Sequence, residues 1–151
     1  ESIRKGLEAF RGVKRRFEYR GTCGNMQVFD DYAHLPDEIR ATLLATKKLG
    51  YPRVTVVFQP HTYTRTQAYW PEFVSALSLA DEVILADIYP AREKPLPGIE
   101  SSILAENSNV LTYRGNFDEI AAYLKNLSNE GLLLIMGAGT IVNLTDLILD
   151  K

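Results

Sequence analysis

The spacing of hydrophobic residues predicts that the chain opens with a helix followed by an antiparallel pair of strands. Residues 16–20 alternate between polar and apolar side chains, as a half-buried strand does, and residues 26–30 form a second strand after a turn at 21–25. A helix is expected before Gly12, because three apolar residues precede it at helical spacing: Ile3, Leu7 and Phe10.

From residue 36 onward, helical and strand-like patterns alternate. The run at 54–58 is continuously apolar, which is typical of a strand covered on both faces. Pro36 is well placed to begin a helix, and Asp37 and Glu38 are favourable near its positive end. The predicted strands are 54–58, 82–88, 110–113 and 132–136, and the predicted helices are 36–49, 71–79, 101–106, 117–127 and 140–149.

Strands that alternate with helices predict right-handed crossover connections and a mostly parallel sheet. No repeat, low-complexity stretch or internal linker divides the sequence. We therefore expect residues 1–151 to form one α/β domain of the doubly wound, Rossmann-like class. Its mostly parallel sheet should carry helices on both faces and an antiparallel strand at its N-terminal end.

Composition and charge narrow the classes of function. The chain has 151 residues, of which 46% are hydrophobic and 24% charged, and its net charge is −2. Such a chain lacks the basic balance typical of nucleic-acid binding, so no nucleic-acid partner is expected. No apolar run approaches the roughly 20 residues that span a bilayer, and the start lacks a signal peptide, so membrane insertion is not expected.

Two further features concern the cellular context. Cys23 is the single cysteine, which excludes an internal disulfide and favours a reducing, cytoplasmic location. The sequence does not begin with methionine, and we expect it to be part of a longer protein.

Two polar segments, 30–36 and 59–66, carry the candidate chemistry. Each begins where a predicted strand stops, and the two histidines of the chain are divided between them. In an open α/β sheet, ligands bind in the crevice beyond the carboxyl ends of the strands. We therefore expect both segments to contribute to one site.

Each segment also has a purely structural interpretation. A lone Asp31 would more often cap a helix than bind a sugar hydroxyl or a cation, and His34 is as often a packing group as a site residue. The hydroxyl-rich run 59–66 is compatible with a surface turn that satisfies its own backbone. Against this, Arg65 supplies a planar fork that suits a carboxylate or phosphate, with His61 as a second donor.

Two other features leave alternatives open. Alternation along the first strand would send Arg15 and Arg16 to opposite faces, and the sequence gives no physical reason to prefer either as the ligand contact. The segment 137–139 (Gly-Ala-Gly) is compatible with a phosphate cradle or with close packing of the last helix. A P-loop, a G-x-S-x-G elbow and a metal-spaced Cys/His cluster are absent, so a complete catalytic set is not expected in this chain.

Taken together, four segments resemble the C-terminal domain of the Mur ligases. The resemblance covers nearly the whole chain. The second segment is shared by the wider group, whereas the third is similar to the branch that joins L-alanine to UDP-N-acetylmuramate. The segments are 15–18 (RRFE), 30–36 (DDYAHLP), 58–66 (FQPHTYTRT) and 88–93 (IYPARE).

This resemblance implies an ATP-dependent amide-forming ligase of peptidoglycan synthesis. The complete protein would also hold an N-terminal UDP-substrate domain and a central P-loop ATPase domain, and the present chain alone would be inactive. The cofactors would be ATP and Mg2+, bound mainly by the central domain, and the substrates UDP-N-acetylmuramate and L-alanine, joined through an acyl phosphate. By similarity, Arg16 would contact the ATP phosphates and Asp31 the ribose. The amino-acid pocket would be lined by Tyr32, His34, His61 and Arg65, the last two holding the carboxylate.

Two positions depart from the family pattern, and two other interpretations compete, one within the family and one of another class. Many members have a second histidine where Leu35 stands, and some have arginine where Thr62 stands. One rival is another Mur-type ligase, such as the murein tripeptide recycling ligase, which the segment 59–66 disfavours. A receiver-like signalling domain is disfavoured because the strand at 54–58 ends in Gln59-Pro60 rather than a phosphoacceptor aspartate.

Overall fold

A computed structural model describes residues 13–149. The predicted helix before Gly12 lies outside these residues. Within them, the strands form one six-stranded sheet in the order β1-β2-β6-β3-β4-β5. β1 pairs antiparallel with β2, and all the other pairs are parallel. The strands are β1 (Glu18–Cys23), β2 (Met26–Asp31), β3 (Val54–Phe58), β4 (Glu82–Leu85), β5 (Leu111–Tyr113) and β6 (Gly131–Met136).

Helices cover both faces of this sheet, which confirms the predicted fold class. One hydrophobic core lies between the sheet and α1, α3 and α4, and a second lies between the sheet and α5 and α6. The helices are α1 (Pro36–Lys47), α2 (Tyr63–Ala68), α3 (Trp70–Leu77), α4 (Ser101–Glu106), α5 (Phe117–Lys125) and α6 (Val142–Ile148).

The central strands β3 and β6 are buried along their whole length, as their largely apolar sequences predict. Successive residues serve opposite cores: Phe58 packs against Phe73 of α3 with ring centroids 5.5 Å apart, whereas Val57 belongs to the core under α5 and α6. If such a strand slipped by one residue, every side chain would move to the opposite core. The register is therefore strongly fixed.

Three element predictions need correction. The first strand starts at Glu18 rather than residue 16 and continues to Cys23, because a bulge between Tyr19 and Gly21 lets it pass through the expected turn. β4 ends at Leu85, three residues early, and the chain rejoins the sheet only as an isolated bridge between His61 and Tyr89. The helix α2 was not predicted, since its sequence YTRTQA lacks an apolar stripe.

The register of the three central strands aligns their carboxyl ends. Asp31 of β2 and Phe58 of β3 both stand opposite Met136 of β6. Hydrogen bonds continue this alignment by one residue: Gly137 N–H donates to Asp31 O at 3.1 Å, and Gln59 N–H donates to Met136 O at 3.0 Å. The loops that follow these strands therefore start side by side.

Two glycines with positive φ provide a test of how tightly β6 is enclosed. Gly131, at the start of β6, has φ 149°, and a Cβ there would lie 2.2 Å from Arg53 O. Gly50 has φ 76° but nothing within 4 Å of the corresponding position. We expect Gly131→Ala to lower the free energy of unfolding by roughly 2–5 kcal/mol, and Gly50→Ala by only about 1–2 kcal/mol.

Urea denaturation of both variants measures this difference. Equal losses would show that the backbone of Arg53 moves away without cost, and that the start of β6 is less constrained than the contacts indicate.

Candidate ligand site at the carboxyl edge of the sheet

The candidate site is built from loops that follow the aligned strands. The segment after β2 carries Tyr32 and His34, and the segment after β3 carries His61 and leads into α2, which carries Arg65. The strand alignment therefore brings together residues that are about thirty positions apart in sequence, as the sequence analysis predicts.

Five of the six predicted site residues form a continuous series of contacts. The Arg16 guanidinium carbon lies 5.4 Å from the centre of the Tyr32 ring, and the Tyr32 and His34 rings are 5.3 Å apart. The His34 and His61 rings are 6.0 Å apart, and Arg65 Nη1 lies 3.5 Å from His61 Nδ1. The sixth, Asp31, sits behind this series at the end of β2 and is 6% exposed.

Arg15 and Arg16 differ in their surroundings, although neither lies in a strand. Both precede β1 in a turn where Arg15 has φ 57°, so the predicted alternation across the first strand does not apply. Arg15 Nη2 donates to Gly137 O at 2.5 Å and to Gly139 O at 3.3 Å, which commits this side chain to the loop after β6. Arg16 is exposed, and within residues 13–149 its guanidinium has no hydrogen bond. Arg16 is therefore the one available to a ligand.

Asp31 has a structural role that the sequence analysis underestimated. Its Oδ2 accepts from Phe17 N–H at 2.9 Å, and its Oδ1 accepts from Ala33 N–H at 2.8 Å. Tyr32 N–H also donates to Arg15 O at 2.7 Å, so the turn before β1 is tied to the loop after β2. Each Asp31 oxygen keeps further acceptor capacity, since an ionised carboxylate has about four lone-pair sites.

The neighbouring Asp30 faces away from this site. Its carboxylate pairs with Arg20 of β1 and accepts from Thr145 Oγ1 of α6 at 2.5 Å. Burial raises the pKa of Asp30, against the opposing effects of the Thr145 hydrogen bond and the Arg20 charge. The two adjacent acids therefore have different roles. Asp30, on β2, binds side chains of β1 and α6, whereas Asp31 binds the backbone around the candidate site.

Glu38 fixes the segment that carries His34. Its Oε2 accepts from the backbone N–H of His34 at 3.0 Å and of Leu35 at 3.3 Å, and lies 3.5 Å from His34 Nδ1. His34 Nδ1 is 3.1 Å from Tyr32 O, and because a carbonyl only accepts, this nitrogen carries the proton. The sequence assigned Glu38 only to the helix end, whereas its side chain reaches back to the site.

The surroundings of His61 favour its uncharged form by lowering its pKa. Burial lowers its pKa, and the positive charge of Arg65 and the proximity of His34 lower it further. Arg65 can only donate, so His61 Nδ1 is the acceptor of this contact and the ring proton lies on Nε2. His61 and Arg65 together therefore offer donors, which is the chemistry that a carboxylate requires.

The glycines after β6 serve close packing. A Cβ on Gly139 would lie 2.6 Å from Gln59 Oε1 and 2.6 Å from Tyr89 Cγ. The buried Gln59 side chain accepts from Ile141 N–H at 3.0 Å, and the carbonyls of Gly137 and Gly139 accept from Arg15. These contacts favour the packing interpretation over a phosphate cradle. The neighbours of Gly139 are the loops after β3 and β4, whereas Gly137 also lies close to Ile141 at the start of the last helix.

Gln59 and Tyr89 are structural parts of the site that the sequence analysis did not single out. Tyr89 packs on the other side of His61, with ring centroids 5.3 Å apart, and Thr62 N–H donates to its carbonyl at 2.8 Å. Both lie in segments that carry the family resemblance, 58–66 and 88–93, but the sequence indicates no packing role for either. Among residues 13–149 no group of three or more His, Cys, Asp or Glu is arranged to hold a metal ion, and no helix there is long and apolar enough to cross a bilayer.

The lowered pKa of His61 yields a test of the Arg65 contact. We expect NMR titration to place the His61 midpoint below the ordinary value of about 6.5. Arg65→Ala should raise that midpoint without fully restoring it, because burial is the larger cause. Arg65→Lys keeps the charge and should leave the midpoint low. An identical midpoint in the wild type and in Arg65→Ala would mean that the two side chains do not interact.

Comparison with known proteins agrees with this geometry. The UDP-N-acetylmuramate–L-alanine ligase of Acetivibrio thermocellus is 47% identical over 157 aligned positions, which cover 100% of this chain but only 34% of that ligase. The crystal structure of UDP-N-acetylmuramate-alanine ligase from Thermotoga maritima superposes with a TM-score of 0.65 and 31% identity, covering 94% of this chain and 30% of that one. A murein peptide ligase from Psychrobacter arcticus, with a TM-score of 0.69 over 93% of this chain and 30% of that one, shares the fold at 24% identity. Residues 15–139 match the family described as Mur ligase, glutamate ligase domain. The chain therefore belongs to the Mur ligase family and corresponds to its C-terminal domain.

Proposed function

We propose that the complete protein is an ATP-dependent ligase that joins L-alanine to UDP-N-acetylmuramate, and that this domain binds the amino acid and contacts ATP. The observation that carries the proposal is the His61–Arg65 pair, held 3.5 Å apart beside His34 and Tyr32. The similarity to alanine-adding ligases over the whole chain supports the choice of substrates. Since the chain spans about a third of such a ligase, the remaining two domains belong to the proposal as well.

The pair is suited to the carboxylate of a free amino acid. Arg65 offers a forked, permanently charged donor, and neutral His61 offers its Nε2–H without adding a second positive charge. Binding the carboxylate leaves the amine free to act as the nucleophile. An open cleft of about 460 Å³ lies beside Arg65, and its other walls are Leu35, Pro36, Asp37, Glu38, Tyr69 and Glu72.

Arg16 and Asp31 form the proposed ATP side of the domain. The exposed Arg16 guanidinium would contact phosphate oxygens, and the remaining lone pairs of Asp31 would accept from ribose hydroxyls. ATP supplies the phosphoryl group that activates the muramoyl carboxylate. On the basis of the family resemblance, we assign Mg2+ mainly to the central domain.

The domain then acts by positioning and electrostatics, because both reacting groups come from substrates. This division of work requires the N-terminal and central domains, and we expect the 151-residue chain alone to show no ligase activity. We place the complete enzyme in the cytoplasm, where its nucleotide substrates are made, with no nucleic-acid or membrane partner.

Amino-acid-dependent release of ADP by the full-length protein tests the proposal. With UDP-N-acetylmuramate present, we expect L-alanine to drive release better than glycine, L-serine or a stem tripeptide. Release driven only by the tripeptide would assign the protein to the peptide-recycling ligases. No release with any of the four would refute the ligase assignment, as would turnover by the 151-residue chain unaided.

A variant of Arg65 tests its place in the amino-acid pocket. Arg65→Ala in the full-length enzyme should raise the KM for L-alanine roughly 10- to 100-fold, since a charge-assisted hydrogen bond contributes about 1.5–3 kcal/mol. The KM for ATP should change little. Arg40→Ala is the matched control, because Arg40 contacts Ser75 on the exposed side of α1. An unchanged KM for L-alanine would remove Arg65 from the pocket.

A further inference from the structure

The helix that carries Arg65 begins without a cap of its own. Thr62 occupies the N-cap position of α2, but its side chain makes no capping hydrogen bond. Its backbone has φ 69°, which is unfavourable for a β-branched residue and persists only where the surroundings fix it. The first N–H groups of a six-residue helix therefore need partners from elsewhere in the chain.

Glu93, on the loop between β4 and α4, supplies that partner. Its Oε2 accepts from Thr64 N–H at 3.0 Å, which is the contact that an N-cap side chain would make, and its Oε1 accepts from Thr64 Oγ1 at 2.5 Å. The contact spans 29 positions in the sequence. Glu93 therefore caps α2 from a different loop.

The same loop encloses the backbone just before α2. Tyr89 N–H donates to Pro60 O at 2.9 Å, and Thr62 N–H donates to Tyr89 O at 2.8 Å. The Tyr89 ring packs against His61, with centroids 5.3 Å apart. Tyr89 therefore binds the backbone at Pro60 and Thr62, and Glu93 binds it at Thr64. Together they fix the segment 60–64, which contains the strained Thr62.

We propose that Glu93 is a positioning residue for amino-acid recognition. By accepting from Thr64 it caps α2, and this cap holds the Arg65 side chain beside His61. The inference rests on the proposed function of that pair. This role needs no contact between Glu93 and the substrate, because both carboxylate oxygens act through Thr64.

The electrostatics agree with this role. The hydrogen bonds from the Thr64 hydroxyl and backbone lower the pKa of Glu93, and the charge of Arg65 lowers it further. The carboxylate is therefore ionised at neutral pH and accepts both bonds. Because its oxygens bind Thr64 rather than Arg65, the guanidinium fork is left for a ligand.

The test compares Glu93→Ala, Glu93→Gln and Arg65→Ala in the full-length enzyme. Glutamine keeps an oxygen that accepts from Thr64 N–H and an NH2 group that donates to the Thr64 hydroxyl, so it preserves the cap without the charge. We expect Glu93→Ala to raise the KM for L-alanine roughly 3- to 10-fold and Glu93→Gln to restore most of the loss. The KM for ATP should stay within about twofold in both.

Hydrogen–deuterium exchange supplies a readout that does not depend on turnover. In Glu93→Ala, peptides covering 61–68 should exchange faster, while those covering β3 and β6 should keep their protection and show that the domain is folded. Glu106→Ala, which removes an exposed acid at the far end of α4, is the charge-matched control and should change neither KM nor exchange.

The outcomes separate this inference from the proposed function. A raised KM for L-alanine in Arg65→Ala but not in Glu93→Ala would overturn the capping role and leave the carboxylate pair intact. A glutamine variant no better than alanine would also overturn it, since charge rather than capping would then be responsible. No effect in either Arg65→Ala or Glu93→Ala would instead count against the proposed function itself.

Discussion

The rest of the site depends on the parallel pairing of three adjacent strands. β6 and β3 are buried along their whole length and β2 along most of its length, and this burial fixes the register that aligns Asp31, Met136 and Phe58. Side chains from distant parts of the sequence can then approach within a few ångströms without any local device to bring them together. The loops then adjust only the direction in which each side chain points.

That adjustment comes from charged side chains whose hydrogen bonds go to the loop backbone. Asp31, Glu38 and Arg15 each bind N–H or carbonyl groups of a neighbouring loop, and each does so beside a residue that faces the site. A charged side chain used in this way holds a loop more firmly than a neutral one, because hydrogen bonds to ions are the stronger class. The candidate site is therefore surrounded by charged side chains that hold the backbone of its loops.

Much of this arrangement could be predicted from the sequence, and the failures have physical reasons. The strands β3 and β6 and the placement of His61 and Arg65 follow from apolar runs that end in polar residues. The helix α2 could not be found in this way, because its start is stabilised by Glu93 from another loop and not by its own residues. Arg15 and Arg16 could not be told apart for a similar reason: the difference lies in the carbonyls of the loop after β6, more than a hundred positions away.

The close contacts of Gly139 bring together the loop after β3 and the loop after β4. No sequence pattern indicates that these two loops meet. A side chain at this position would meet Gln59 on one side and the Tyr89 ring on the other, and that ring lies directly against His61. Any enlargement of residue 139 is thus transmitted through one aromatic ring to the imidazole. A substitution here would therefore disturb the proposed amino-acid pocket, although residue 139 has no side chain of its own.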